Sequence, residues 1–202
     1  MAEIFEDIKQ FEERLELPND FYLQLLKEDD WSFVIKLSAL VEAGCTHILA
    51  HKLRNPELED SFAYLEQCNS KVGRVVLLRK LGAINNEQAK ILNSLAALRN
   101  NLAHKVSNVN FTFSEFTDSL DKNQRKNYVR DFGHGLKDEI DFGDVKVEKH
   151  TFVLENPKIS MWLTLSEVLA CLYLEIEVTE FRIKAEILEQ YVNLTRTSSG
   201  QK

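Results

Sequence analysis

Apolar residues recur every three to four positions through three long stretches of this chain, and only Gly44 interrupts them. From about Trp31 to Leu53 the apolar positions are Phe33, Val34, Leu37, Leu40, Val41, Ile48 and Leu49. From Asn85 to Lys105 they are Ala89, Leu92, Leu95, Ala96, Leu102 and Ala103. From Met161 to about Tyr191 they are Trp162, Leu165, Val168, Leu169, Leu172, Ile176 and Phe181. That spacing lays one apolar stripe along an α-helix. A striped helix must bury its stripe against another element, so a chain built on three of them predicts an all-α bundle. Seven glycines and three prolines in 202 residues leave too little turn chemistry for a loop-rich or all-β alternative.

Shorter segments fill the gaps. Ile4 to Leu15 reads as a short helix, broken by Pro18-Asn19-Asp20, with a second short segment through Leu26. Asn55-Pro56 stops the first long run, and Glu57 to Asn69 reads as helical. Ser70 to Leu81 is basic and amphipathic, with Lys71, Arg74, Arg79 and Lys80 set against Val72, Val75, Val76 and Leu78. Short connections between successive helices predict antiparallel neighbours. Residues 107–158 differ, holding three of the seven glycines. They read as an irregular insertion carrying at most a β-hairpin, its strand Asp144 to Glu148 paired with His150 to Leu154. The chain as a whole reads as one domain over 1–202, long enough to bury a core without a metal or disulfide staple. Cys45 and Cys171, in apolar helical runs, read as buried thiols, and Thr195 to Lys202 as a frayed tail.

The formal net charge of −7 argues against broad nucleic-acid binding, which needs a basic stripe, but leaves room for a local patch. No run approaches the ~20 apolar residues that span a bilayer, and the acidic N-terminus is unlike a signal peptide. A cytoplasmic location with no membrane contact is the expectation.

The chemistry concentrates at Arg99-Asn100-Asn101-Leu102-Ala103-His104, the end of the middle run. A helix turns roughly 100° per residue, so Asn100 and His104 share a face, while Arg99 reaches them only through its long side chain. Histidine can serve as general base or acid toward a ribose 2′-OH or a leaving oxygen. Arginine offers a fixed fork of donors to phosphate, and asparagine can orient either partner. One histidine and one arginine make a sparse site, which symmetric dimerisation would double. Lys71, Arg74, Arg79 and Lys105 are candidates for contacting RNA phosphates. No cofactor motif is present: there is no phosphate-binding loop, dinucleotide fingerprint or nucleophile elbow.

The motif Arg99-Asn100-x-x-x-His104 resembles the Arg-polar-x-x-x-His signature of the HEPN superfamily. Ser70 to His104, with its basic helix and Leu81-Gly82-Ala83-Ile84-Asn85 turn, is similar to the mannitol operon repressor branch of that superfamily. The likeness covers roughly Phe33 to Lys105. It implies a HEPN-type helical bundle, a homodimer, and metal-independent RNA cleavage of the kind used in toxin–antitoxin or phage-defence systems. Arg99 and His104 would be catalytic and Asn100 supporting. The alternative it implies, ranked second, is a non-catalytic regulatory or immunity-type protein acting on a protein partner, whether antitoxin, toxin or regulator.

Plainer readings stand beside these. Arg99 can be a helix-end arginine paired with Glu42, and His104 a helix-terminal histidine. His47 and His51, four apart, lack a third ligand, so no metal site is expected. His134, between two glycines, reads as exposed. Phe111, Phe113 and Phe116 suit core or dimer contacts better than base stacking.

Overall fold

The computed structural model describes residues 2–104, 106–143 and 145–199, and the fold is all-α with one small hairpin. Helix α3, Asp30–Lys52, is the axis of the bundle. Its first turn is closed by Asp29, whose side chain accepts the Ser32 amide at 2.9 Å. Beyond that turn, Phe33, Val34, Leu37, Leu40, Val41, Ile48 and Leu49 are all buried, together with Ser38, Cys45 and Thr46. These positions point in nearly every direction around the helix, so α3 has to be enclosed on all sides. The enclosing helices are α1 (Ala2–Arg14), α4 (Glu59–Ala63), α5 (Arg74–Lys80), α6 (Asn86–Ala103) and α10 (Pro157–Ser199). Between α1 and α3, a Cβ on Gly44 would stand 2.8 Å from the Phe11 ring, so glycine permits that approach.

Helix α10 closes the structure against α1 and α3. Proline at its first position sacrifices no hydrogen bond, because the opening N–H groups of a helix have no partner within it. Trp162 stacks on Phe5 and on Tyr22 with ring centroids 5.1 Å apart in each case. Its indole Nε1 donates to the Tyr22 carbonyl at 3.0 Å, and the Tyr22 hydroxyl donates to the Trp162 carbonyl. The helix continues past Tyr191 to Ser199, further than periodicity alone predicts. By length and composition α3 and α10 could each cross a membrane, yet 67% of each apolar window is buried inside the bundle.

Residues 107–158 are more ordered than an irregular insertion. Helices α7 (Phe113–Ser119), α8 (Lys122–Phe132) and α9 (Lys149–Glu155) put Phe113, Tyr128, Val129, Phe132 and Val153 into the same core as α3. The hairpin joins β1, Glu139–Asp141, to β2, Lys146–Glu148, with Ile140 opposite Val147. The expected partner, His150 to Leu154, is instead part of α9: its run of side chains buries Val153 by helical rather than alternating spacing. Asp144 lies outside the described residues. The expected helix over Glu57 to Asn69 shrinks to a 3₁₀ turn, Pro56–Leu58, and the short α4. Between α1 and α3 the short segment through Leu26 is α2, Phe21–Gln24, followed by a 3₁₀ turn. Cys45 is buried as expected, whereas Cys171 faces outward on α10 and is exposed.

One carboxylate in this core carries a pH signature. Glu12 is buried, and its Oε1 accepts the Tyr22 amide at 2.6 Å. Burial raises its pKa, outweighing the lowering effect of that hydrogen bond. A carboxyl raised in the folded state contributes stability that is fully present below the ordinary glutamate range and lost as pH rises from there through the raised folded-state value. Wild type should therefore lose stability relative to Glu12→Gln as pH rises above the ordinary glutamate range, read by urea unfolding. A stability difference that stayed constant over that rise would contradict the assignment.

Candidate functional site: a polar cleft at the end of α6

Helix α6 begins at a reciprocal cap. Asn85 accepts the amides of Glu87 and Gln88 at 2.9 and 2.8 Å, while Gln88 accepts the Asn85 amide at 2.9 Å. Ala89, Ile91, Leu92, Leu95, Ala96, Leu98 and Leu102 are buried, which fixes the rotation of the helix. Arg99, Asn100 and His104 consequently line one cleft of about 460 Å³. His104 is the C-terminal capping residue, exposed, its amide donating to the Asn100 carbonyl at 3.3 Å. Asn108 accompanies it by donating from Nδ2 to the Asn101 carbonyl at 2.7 Å, which satisfies one of the last carbonyls of the helix. The three residues that sequence reasoning grouped are thus brought together.

Their opposite wall comes from α3 and from the turn that leads into α5. Glu42 lies between two guanidinium groups. Its Oε2 accepts from Arg74 Nη2 at 2.9 Å, and its Oε1 stands 3.8 Å from Arg99 Nη2. The Arg99–Glu42 pair expected from sequence exists, but as the looser of the two. Arg99 also donates from Nη1 to Asn100 Oδ1 at 3.0 Å. Asn100 therefore orients the arginine rather than the imidazole.

Arg74 corrects the expectation of an RNA-facing basic helix. It is buried, and its Nη1 donates to Thr46 Oγ1 at 3.0 Å beside the Glu42 contact. A guanidinium with two acceptors beneath it can be buried where an unpaired one cannot. Helix α5 starts only at Arg74, not Ser70, because the preceding chain folds into a tight turn. Asn69 Oδ1 accepts the Lys71 and Val72 amides at 3.0 and 3.1 Å, and a Cβ on Gly73 would meet the Asn69 amide nitrogen at 2.5 Å. Lys71 and Arg79 are exposed, Arg79 within 3.4 Å of Asn86 Oδ1, and neither lines the cleft. Lys105 lies outside the described residues.

Sequence reasoning missed Tyr64, Glu66 and Cys68, which also line the cleft. They sit where α4 gives way to turns, so no periodicity marks them. Burial and then the nearby Glu42 push the Cys68 thiol up, which keeps it protonated at neutral pH and unsuited to nucleophilic attack. Tyr64 is 91% exposed at the rim.

The remaining candidates lie elsewhere. His47 and His51 stack with centroids 5.9 Å apart; His47 Nδ1 is 3.2 Å from Glu59 and His51 Nε2 is 3.5 Å from Glu180. Among the described residues no group of His, Cys, Asp or Glu could hold a metal ion. His134 is 4.0 Å from Glu87, outside the cleft. Phe111, Phe113 and Phe116 pack on one another and on Tyr128, so they belong to the core. A larger apolar groove of about 800 Å³, between the hairpin and α10, contains none of the expected site residues.

Comparison with protein-family models, with curated proteins and with solved structures finds no match for this chain.

Arg74→Ala leaves the Glu42 carboxylate without its close partner and should destabilise the fold by about 2–4 kcal/mol in urea unfolding. Arg99→Ala, at a side chain 39% exposed, should cost under about 1 kcal/mol. Equal costs for the two would reject this division of labour.

Proposed function

We propose that this chain is a metal-independent RNA endonuclease of the HEPN type, acting at the cleft formed by Arg99, Asn100 and His104. The observation that supports the reading is their convergence: an exposed imidazole and a half-exposed, pre-oriented guanidinium line one polar cleft. Attack of a ribose 2′-oxygen on the adjacent phosphorus needs a base for the hydroxyl proton and an acid for the departing 5′-oxygen. His104 has the proton chemistry for either task. Arg99 would bind a non-bridging phosphate oxygen and stabilise the charge that develops on it. Asn100 keeps the guanidinium aimed. Because Arg74 holds Glu42 at the shorter distance, a phosphate has only the looser Arg99 contact to displace. A homodimer would bring a second His104 and a second Arg99, and the toxin–antitoxin or phage-defence setting belongs to this same reading.

A second reading, a non-catalytic regulatory or immunity-type protein like the mannitol operon repressor branch, is favoured by charge. Glu42 offsets the positive charge of the cleft, Arg74 is withdrawn from the surface, and the net charge is −7. Such a protein would act on a protein partner, and the motif would serve as a helix end.

Incubation with labelled RNA in EDTA separates the two. Wild type should cleave, and Arg99→Ala and His104→Ala should each fall by roughly 10²–10⁴-fold. Retained cleavage by His104→Ala would sink the mechanism, and no cleavage by any form would leave the regulatory reading.

A further inference from the structure

Helix α10 presents two faces. One is spent within the chain: Leu172, Tyr173, Ile176 and Thr179 are buried. On the opposite face Leu174, Val178, Phe181 and Leu188 are 47, 40, 74 and 64% exposed, with Ala185 exposed between them. Their spacing alternates four and three residues, and the next step of the same rhythm is Val192. This is the a/d seam of a coiled coil, six positions long. At 1.5 Å per residue it extends roughly 27 Å. Arg54–Glu186 is an ion pair between the body of the bundle and this part of the helix. From Phe181 to Asn193 every residue except Ile183 is exposed.

We infer that this seam is the contact for a second copy of the same chain, packed parallel and in register. The charges flanking the seam identify the occupant. Glu177, Lys184 and Tyr191 take the positions before the three a residues, and Glu175, Arg182 and Glu189 those after the three d residues. In a parallel pair the former face the latter five residues on, which sets Glu177 against Arg182 and Lys184 against Glu189 of the second copy. Each pair forms twice by symmetry, since the same patch serves both copies. Among the described residues Arg182 and Glu189 have no ion pair within 4 Å in their own chain, and Lys184 has only the longer-range attraction of Glu180, so all three can reach a second copy. Glu177 already bonds Arg14 at 2.6 Å with its side chain 44% exposed, and a carboxylate can accept from a second cation. The antiparallel alignment that overlaps the whole seam instead sets Arg182 on Arg182 and Lys184 on Lys184. Antiparallel alignments shifted to match the charges leave part of the seam uncovered. The pairing rests on α10 alone and holds whichever chemistry the cleft performs.

The test uses the full chain. Light scattering during size exclusion should give wild type twice the chain mass, and Phe181→Asp combined with Leu188→Asp the single mass with unchanged helical circular dichroism. Both residues are exposed, so the fold has no need of them. A monomeric wild type, or a variant that keeps the doubled mass, would overturn the seam. Leu174→Cys in a Cys171→Ser background should yield a covalent dimer on mild oxidation, because parallel, in-register helices bring residue 174 within disulfide reach of its counterpart, whereas the antiparallel alignment that overlaps the whole seam sets it against residue 192. A dimer that fails to cross-link there would overturn the parallel alignment.

Discussion

The carboxylate of Glu42 is the interaction on which both the scaffold and the site depend. A buried guanidinium is tolerated only when it is paired, and Arg74 pairs through its two terminal nitrogens with Glu42 and the hydroxyl of Thr46, one helical turn further along α3, while its Nε has no partner among the described residues. That requirement pins the start of α5 to the central helix. The tight turn at Gly73 follows from it, because the chain must double back before Arg74 can point inward. The same carboxylate reaches Arg99 across the cleft, so α3, α5 and α6 meet at one negative charge. Any anion entering the cleft competes with a group that the fold needs in place. The competition would be mild at Arg99, 3.8 Å from the carboxylate, and severe at Arg74, 2.9 Å from it.

The chemistry at the end of α6 is economical in a second sense. A helix terminus exposes carbonyls, and here Asn108 takes one of them, leaving the imidazole of His104 at the solvent edge. Asn100 spends its side-chain oxygen on Arg99 rather than on the backbone. The imidazole of His104 and the guanidinium of Arg99 are therefore anchored separately, one by the helix end and the other by its neighbour.

Much of this was legible before any coordinates. Long apolar periods located α3, α6 and α10, since a stripe of buried residues repeats at the helical period whatever surrounds it. The motif residues share a cleft because Asn100 and His104 lie one turn apart and Arg99 is long enough to join them. What escaped did so for identifiable reasons. Arg74 belongs to a face that is basic by composition, and nothing local announces that Glu42 and Thr46, about thirty residues earlier, lie beneath it. Helices α7 and α8 carry sound caps at Thr112 and Asp121, but α8 begins with the polar run Lys122 to Asn127, so its buried Tyr128, Val129 and Phe132 arrive late for a periodic signal. Strand β1 has three residues, too few for alternation to be read. Cys171 sits in an apolar run, yet the rotation of α10 turns it outward, and rotation is set by partners rather than by composition.

The packing of α1 on α10 has a consequence for the order in which the molecule is made. Phe5 stacks on Trp162, Phe11 packs near Tyr173 with centroids 6.3 Å apart, and Arg14 bonds Glu177 and Glu180. Synthesis delivers α1 before every other helix and α10 after all of them. While the ribosome works through the intervening residues, α1 has only part of the surface that covers its aromatic side chains: Gly44 of α3 is there for Phe11, but Trp162 is not there for Phe5. Contacts this distant along the chain are slow to form and leave apolar groups open in the meantime. The Phe5 and Arg14 contacts of α1 therefore form only once α10 is in place.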